Sequence, residues 1–347
     1  MRIAQLATNV ECVPPVGYGG TELIVHYLTE GLAQAGHDVT LFATGDSQTS
    51  ARLVSVAAKA LRTNDQYRTT QWQAFDIQMM MKVREMALEF DLIHNHMGYQ
   101  ALPYLADLDC AVVTTLHNGI KSYCAPIFKA YSQLPYVSIS NAYRRFNYGD
   151  LLNYVATIYN GIDVDAFMPE EKERKYLLFL GRVCRDKGTR DAIEIAEKLN
   201  LPLKIAGKVD ALDFEYFDTL IKPRLNPPMI EYIGEVGPEE KLALYAGALA
   251  VVYPINFEEP FGLVMAEALA TNTPLMAYDR GSVKELLTDG ETAIIGNSVN
   301  ELVQRYPELQ KFDRSKCRKQ ALKFSNQAMV ENYLGVYEKL LKPSKAR

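Results

Sequence analysis

Two glutamates, Glu259 and Glu267, stand eight positions apart around Pro260-Phe261-Gly262-Leu263. Were the whole stretch helical, their carboxylates would lie about 12 Å apart at 1.5 Å per residue. That is wider than the roughly 5–9.5 Å of a glycosidase pair, and better suited to gripping two parts of one elongated ligand. The elements around them have the right order for an anion site. Ala248–Ile255 is an apolar run of strand length, and Asn256–Pro260 is an acidic, Pro-interrupted turn. A helix is predicted from Phe261 or Gly262, with Leu263, Ala266, Glu267 and Ala270 at helical spacing. The first N–H groups of such a helix lack partners and its dipole is positive there. Arg182 and Lys187 supply cations in a second loop, Gly181–Gly188, between an apolar strand (Tyr176–Leu180) and a helix (Arg190–Leu199). A guanidinium fork and an ammonium point charge suit a diphosphate, whereas Arg185 reads as part of a solvated turn.

Three histidines end strands. His94 and His96 close Asp91–His96, and His117 follows the β-branched run Ala111–Leu116. At i and i+2 on a strand, His94 and His96 face the same way, but no carboxylate or third ligand beside them completes a metal site. His117 is placed either to meet a substrate at a strand's carboxyl end or to hydrogen-bond a neighbouring loop. Gly19-Gly20 separates the strand Arg2–Thr8 from a helix opening at Thr21, with Leu23, Ile24, Tyr27, Leu28 and Leu32 apolar. These glycines allow either close approach to a phosphate or a simple turn, and the loop is not the G-x-G-x-x-G of dinucleotide binding. Arg144 and Arg145, at a loop-to-helix start, fit an anionic acceptor or a solvated helix face.

The string Glu259-Pro-Phe-Gly-Leu-Val-Met-Ala-Glu267 after an apolar strand resembles the E-x7-E signature of retaining glycosyltransferases of family 4. Gly181-Arg182 with Lys187-Gly188 matches that family's G-R-x-x-x-x-K-G, and Asn160-Gly-Ile-Asp163 is similar to the turn that closes its first domain. The resemblance covers nearly the whole chain. It implies an α/β chain of the GT-B fold, two doubly wound Rossmann-like domains facing across a cleft. Residues 1–168, with a C-terminal helix 326–347 packing back, would form the acceptor side. Residues 169–325 would form the donor side. Donor binding is implied for Gly19, Gly20, Arg182, Lys187, Val236, Phe261, Gly262, Leu263 and Glu267, with Glu267 on the ribose and Val236 touching the base through its backbone. Glu259 would hold the sugar hydroxyls, and His117 would meet the sugar and β-phosphate. His94, His96 and Arg144 are candidate acceptor contacts. Two loops depart from the family pattern, Asp279-Arg-Gly-Ser282 and Thr271-Asn-Thr-Pro274, although Glu285 keeps an acidic position.

The activity so implied is transfer of a hexose from a nucleotide diphosphate sugar, a UDP-sugar by preference, to a hydroxyl of a glycan, glycolipid or small metabolite, with retention. No metal or other cofactor is expected, because fixed cations and a helix dipole can stabilise the leaving diphosphate. Other GT-B activities, a sugar-nucleotide epimerase or a phosphorylase, and a non-catalytic nucleotide-sugar-binding protein are the alternatives.

Composition bounds these readings. The chain has 347 residues, 48% hydrophobic and 23% charged, with a net charge of −5. That size suits two domains, and the negative balance argues against general nucleic-acid binding. Five cysteines, widely spaced and without C-x-x-C, read as small buried residues of a reducing compartment. Met1-Arg2 runs straight into a strand without a signal-peptide core, and no apolar run is long enough to span a bilayer. A cytoplasmic protein is expected, with contact to a membrane surface left open. A long helix is predicted over Thr69–Phe90, with Met79–Met81 as core filler. Thr44–Tyr67 gives no clear signal.

Overall fold

Most strands are short apolar runs buried on both faces, the pattern of parallel sheets covered by helices on each side. The computed structural model describes residues 1–17, 19–168 and 172–342. Tyr18 of the glycine loop, the expected domain boundary at 168/169 and the last five residues of the expected C-terminal helix fall wholly or partly outside the described residues. The chain divides into two units, Met1–Ile162 with the chain from Asn326 onward, and Asp163–Ser325.

Unit 1 contains β1 (Arg2–Leu6), β2 (Asp38–Phe42), β3 (Arg52–Val54), β4 (Leu92–Asn95), β5 (Ala111–Leu116), β6 (Tyr136–Ser138) and β7 (Tyr154–Thr157). All pairs are parallel, in the order β3-β2-β1-β4-β5-β6-β7. Unit 2 contains β8 (Tyr176–Leu180), β9 (Leu203–Ala206), β10 (Ile230–Gly234), β11 (Ala248–Tyr253), β12 (Leu275–Tyr278) and β13 (Ala293–Gly296). It too is fully parallel, in the order β10-β9-β8-β11-β12-β13. Both sheets therefore reverse winding once, between β1 and β4 in unit 1 and between β8 and β11 in unit 2. Doubly wound sheets bind ligands at the carboxyl ends of the strands flanking that reversal.

Helix packing follows sequence pattern. Helix Thr189–Leu199 turns Ala192, Ile193, Ile195 and Ala196 into the unit 2 core, beside Leu177, Ile205 and Val252. Asp191 in its first turn and Lys198 in its last complement the dipole. Helix Trp72–Met86 is shorter than predicted, since 3₁₀ turns occupy both flanks. Met79 and Met80 enter the unit 1 core, but Met81 is 64% exposed and fills nothing. The unassigned stretch 44–67 holds the short edge strand β3 and a 3₁₀ turn at Leu61–Thr63.

The unit boundary falls earlier than the expected 168/169 because unit 2 claims the residues after Ile162. Arg318 donates to the carbonyls of Val164 and Phe167, at 3.0 and 3.3 Å, and Phe167 stacks edge-on against Tyr245. The chain's return lies beside its exit, where Asn326 N–H donates to Ile162 O at 2.9 Å. Helix Asn326–Leu341 then lies against helix Gly20–Gln34, so closely that a Cβ on Gly31 would meet Val330 Cγ2 at 2.5 Å.

The loops after β8 and β11 are stapled together. Asn256 N–H donates to Asp186 O at 2.7 Å, and Gly188, at φ +73°, sits so near Pro254 that a Cβ would meet its carbonyl oxygen at 1.9 Å. Gly188→Ala is expected to cost clearly more than the ~1–2 kcal/mol of a left-handed alanine. The control is Gly290→Ala, at φ +77° in open space. Equal urea midpoints for the two variants would contradict the close approach.

Candidate active site

In unit 2 the winding reversal brings two loops together, and with them the groups of opposite charge. Lys187 Nζ lies 2.8 Å from Glu259 Oε2, and the Tyr253 hydroxyl donates to the same oxygen at 2.5 Å. Tyr253 ends β11, so its phenol reaches back under the loop that follows. Burial, reinforced by the Glu259 charge, pushes that phenol well above its ordinary value and keeps it a donor. The Lys187 ammonium also lies 4.7 Å from the centre of the Phe257 ring, a cation–π seat. Glu259 is 7% exposed. Its Oε2 is doubly occupied, which leaves Oε1 to accept further hydrogen bonds.

The loop after β12 braces this carboxylate from behind. Ser282 N–H donates to Glu259 O at 3.0 Å, and Gly281 N–H donates to the Glu258 carboxylate at 2.6 Å. Gly281 has φ +56°, and a Cβ there would meet Glu259 O at 2.3 Å. The departure at Asp279–Ser282 therefore retains a glycine at the position where the backbone needs one.

Glu267 is held separately. On helix Leu263–Ala270 it is 3% exposed, taking Lys241 at 2.6 Å on one oxygen and the Tyr245 hydroxyl at 2.8 Å on the other. Each oxygen retains capacity for a second donor. Arg182 pairs with Asp210 at 3.2 Å, and Lys208 reaches the same carboxylate at 2.9 Å. Burial alone would raise Asp210, but hydrogen bonds from Lys208 and Arg182 hold it below its ordinary value. Leu263 opens the helix behind Gly262. Phe261 is different from the other expected donor contacts, because its ring is buried edge-on against Phe324 at 5.8 Å. Its side chain is core, so only its backbone can serve a ligand. Val236 lies in the loop between β10 and helix Pro238–Ala246.

In unit 1 the three histidines come together at the reversal between β1 and β4. His94 Nδ1 meets the Tyr337 hydroxyl at 2.6 Å and its Nε2 meets Thr115 Oγ1 at 2.8 Å. His96 Nε2 meets Gln5 Oε1 at 2.9 Å, and its Nδ1 meets His117 Nε2 at 2.9 Å. His94 and His96 are buried with both ring nitrogens engaged. This corrects the expectation that they touch an acceptor. Among the three, His117 alone keeps a partly open surface. Burial drives His94 and His96 well below the usual imidazole range and His117 down to about 4.

Arg144 sits 5.3 Å over the Tyr154 ring, at edge strand β7. That is three strands from β4, roughly 14 Å at strand spacing, so it stands apart from the histidines. Gly19 caps helix Gly20–Gln34, but Glu22 occupies its first turn, buried and accepting from the Thr8 hydroxyl at 2.7 Å. A carboxylate already answers that positive helix end, making it a poorer phosphate seat than the unit 2 loops. The sequence holds two D-x-D spacings of a kind that can bind a metal, Asp107/Asp109 and Asp163/Asp165. Asp107 pairs with Arg84 at 2.7 Å, Asp163 accepts from the backbone of Asp165 and Ala166, and Asp165 pairs with Arg318 at 3.2 Å.

Two family descriptions match consecutive stretches, Glycosyltransferase Family 4 over residues 18–166 and Glycosyl transferases group 1 over 164–328. The chain belongs to the GT-B glycosyltransferases of family 4. A glycogen synthase of Mycobacterium tuberculosis is 27% identical, with 81% of this chain and 79% of that protein covered. Sucrose-phosphate synthase from Thermosynechococcus elongatus shares the fold at TM-score 0.81 and 19% identity, over 99% of this chain and 100% of that one. The Anabaena protein HepE, solved with UDP-glucose, does so at TM-score 0.73 and 16% identity, over 98% and 100%. In this glycosyltransferase the partners of the two glutamates and of the histidines, namely Tyr253, Tyr245, Lys241, Gln5, Thr115, Tyr333 and Tyr337, escaped sequence reasoning. Tyr253 had one usable signal, its position at the carboxyl end of a buried strand. No helix among the described residues is long and apolar enough to cross a membrane.

Free histidine titrates near 6.5, while the folded rings stay neutral below that. The stability tied to their neutrality is therefore complete above about pH 6.5 and is lost as pH falls toward 4. Urea unfolding should show stability dropping from pH 7 to pH 5. In His117→Gln that drop should shrink by the order of 1–2 kcal/mol. An unchanged slope would mean that His117 is not held neutral.

Proposed function

We propose that the chain transfers a hexose from a nucleotide diphosphate sugar, UDP-linked, to a hydroxyl acceptor, with retention and without a metal. The observation that carries this reading is the Lys187–Glu259–Tyr253 cluster at the reversal of the unit 2 sheet. A fixed cation and a braced carboxylate beside a helix N-terminus support that reading. Lys187, Arg182 and the N–H groups at Gly262 and Leu263 would take the diphosphate. As the sugar–phosphate bond breaks, charge grows on that leaving group, and cations already in place stabilise the transition state more than the ground state. Glu259 would receive sugar hydroxyls on Oε1, and Glu267 would receive those of the ribose. Retention would follow from acceptor attack on the leaving-group face, with a phosphate oxygen taking the acceptor proton. His117 would contribute its open nitrogen to the substrate. The UDP preference draws support from the UDP-glucose bound by HepE.

Thermal unfolding with UDP, GDP, ADP and their glucose conjugates, in EDTA, tests this. A nucleotide that binds only the native chain raises the midpoint by mass action. UDP or UDP-glucose should raise it, and Lys187→Ala and Arg182→Ala should each weaken apparent affinity about tenfold or more. A midpoint unmoved by any uridine ligand in EDTA, but raised by another nucleotide or only with added divalent ions, would overturn the donor or the metal-free assignment respectively.

A further inference from the structure

We propose that Gln5 is a positioning residue that fixes the proton of His117 on Nε2, so that His117 presents an unprotonated Nδ1 and receives a substrate hydroxyl rather than a phosphate oxygen. The substrate half of this proposal rests on the reading of His117 above. The proton order rests on the hydrogen-bond chain alone.

The chain runs through groups far apart in sequence. Gln5 is fully buried in β1. Its Nε2 donates to the Tyr337 hydroxyl at 3.1 Å, and its Oε1 faces His96 Nε2 at 2.9 Å. An amide nitrogen only donates and an amide oxygen only accepts, so this one side chain sets direction both ways. On one side, Tyr337 accepts from Gln5 and has its own proton left for His94 Nδ1. His94 then carries its proton on Nε2 and donates to Thr115 Oγ1, which donates to the Tyr333 hydroxyl at 2.9 Å. On the other side, His96 must hold its proton on Nε2 to donate to Gln5 Oε1. Its Nδ1 is then a lone pair, and the short contact with His117 Nε2 requires that nitrogen to carry the proton. His117 Nδ1 is left without one. A lone pair at that position accepts from a sugar hydroxyl and is repelled by the oxygens of a phosphate.

Only neutral rings satisfy this order, and the surroundings favour neutrality. His94 and His96 on β4 and its end, His117 after β5, and Tyr333 and Tyr337 on the C-terminal helix are the titratable groups that face one another. Among the described residues no carboxylate or cation joins them. Turning the Gln5 amide over would reverse every link and put the proton on His117 Nδ1. The orientation of one amide therefore decides whether the open nitrogen accepts or donates, and the C-terminal helix holds that amide through Tyr337.

Long-range ¹H–¹⁵N spectra of the full chain at pH 7.5, with the five histidines labelled, read the tautomers directly. His117 should appear as the Nε2–H form. A Nδ1–H form in the unaltered chain would overturn the proposal, and this measurement needs no variant. In Gln5→Glu the carboxylate accepts from both Tyr337 and His96. His96 can then take a second proton and donate to His117, whose own proton should move to Nδ1. With it, kcat/KM should fall about tenfold, the scale of one misdirected hydrogen bond, and a new transition should enter the pH–rate profile. Gln5→Leu, which cuts the chain, should leave His117 as a mixture of tautomers. A His117 signal unchanged in both variants would sink the role of Gln5. Tautomers that shift as expected with kinetics and pH profile untouched would instead overturn the substrate contact of His117 and leave the proton order standing.

Discussion

The loops that meet at the winding reversal of the second unit are organised around one half-buried ion pair. Lys187 and Glu259 come from loops after different strands, with side-chain exposures of 25% and 9%. Removing such charges from water is expensive, and breaking one half of a buried pair leaves the other uncompensated at about 3–5 kcal/mol. The surrounding structure is arranged to hold the pair. A tyrosine donates to the carboxylate, aromatic rings lie beside the ammonium, and glycines let the loops after β8, β11 and β12 approach without side chains between them. In the proposed transfer such rigid placement would matter because charge develops on a leaving group within a narrow volume, and donors that must move into place contribute less.

The first unit solves a similar problem without charge. Its strand ends carry three imidazoles, which in water would titrate near neutrality and exchange partners. Here His94 and His96 are buried, His117 is partly so, and all three are held neutral in a hydrogen-bonded network that runs from β1 through β4 and β5 to the C-terminal helix. Two tyrosines of that helix complete it, Tyr337 through its hydroxyl on His94 and Tyr333 through its hydroxyl on the Thr115 side chain that His94 also meets. A helix that follows the whole of unit 2 in sequence thus completes the polar core of unit 1, and the chain's exit and return are hydrogen-bonded to each other. A buried polar network of this kind is favourable only when every member is satisfied.

The element pattern was largely legible. Apolar runs marked most strands, and the loops with Arg182 and Lys187 and with Glu259 were recognisable from residue type and spacing. Boundaries blurred where packing rather than pattern decides, as at helix Trp72–Met86 and around Ile162, where Arg318 ties Val164 and Phe167 to unit 2. Residue type did not reveal the buried surroundings of His94, His96 and Phe261 or the Tyr154 ring under Arg144. A histidine or an arginine at a strand or helix end looks the same in sequence whether its polar atoms face solvent or a tyrosine.

Sequence by itself determined what is local: which runs become strands, where glycine is needed, and which loops hold both cations and carboxylates. These follow from side-chain periodicity and backbone sterics over a few residues. The tertiary structure alone decided the partners. Gln5 and Tyr337 are separated by 332 positions, and Lys187 and Glu259 by 72. Their hydrogen bonds have no local signature, because they exist only once the doubly wound sheets have brought the strand ends side by side. Which nitrogen of His117 holds a proton is the furthest consequence of that packing.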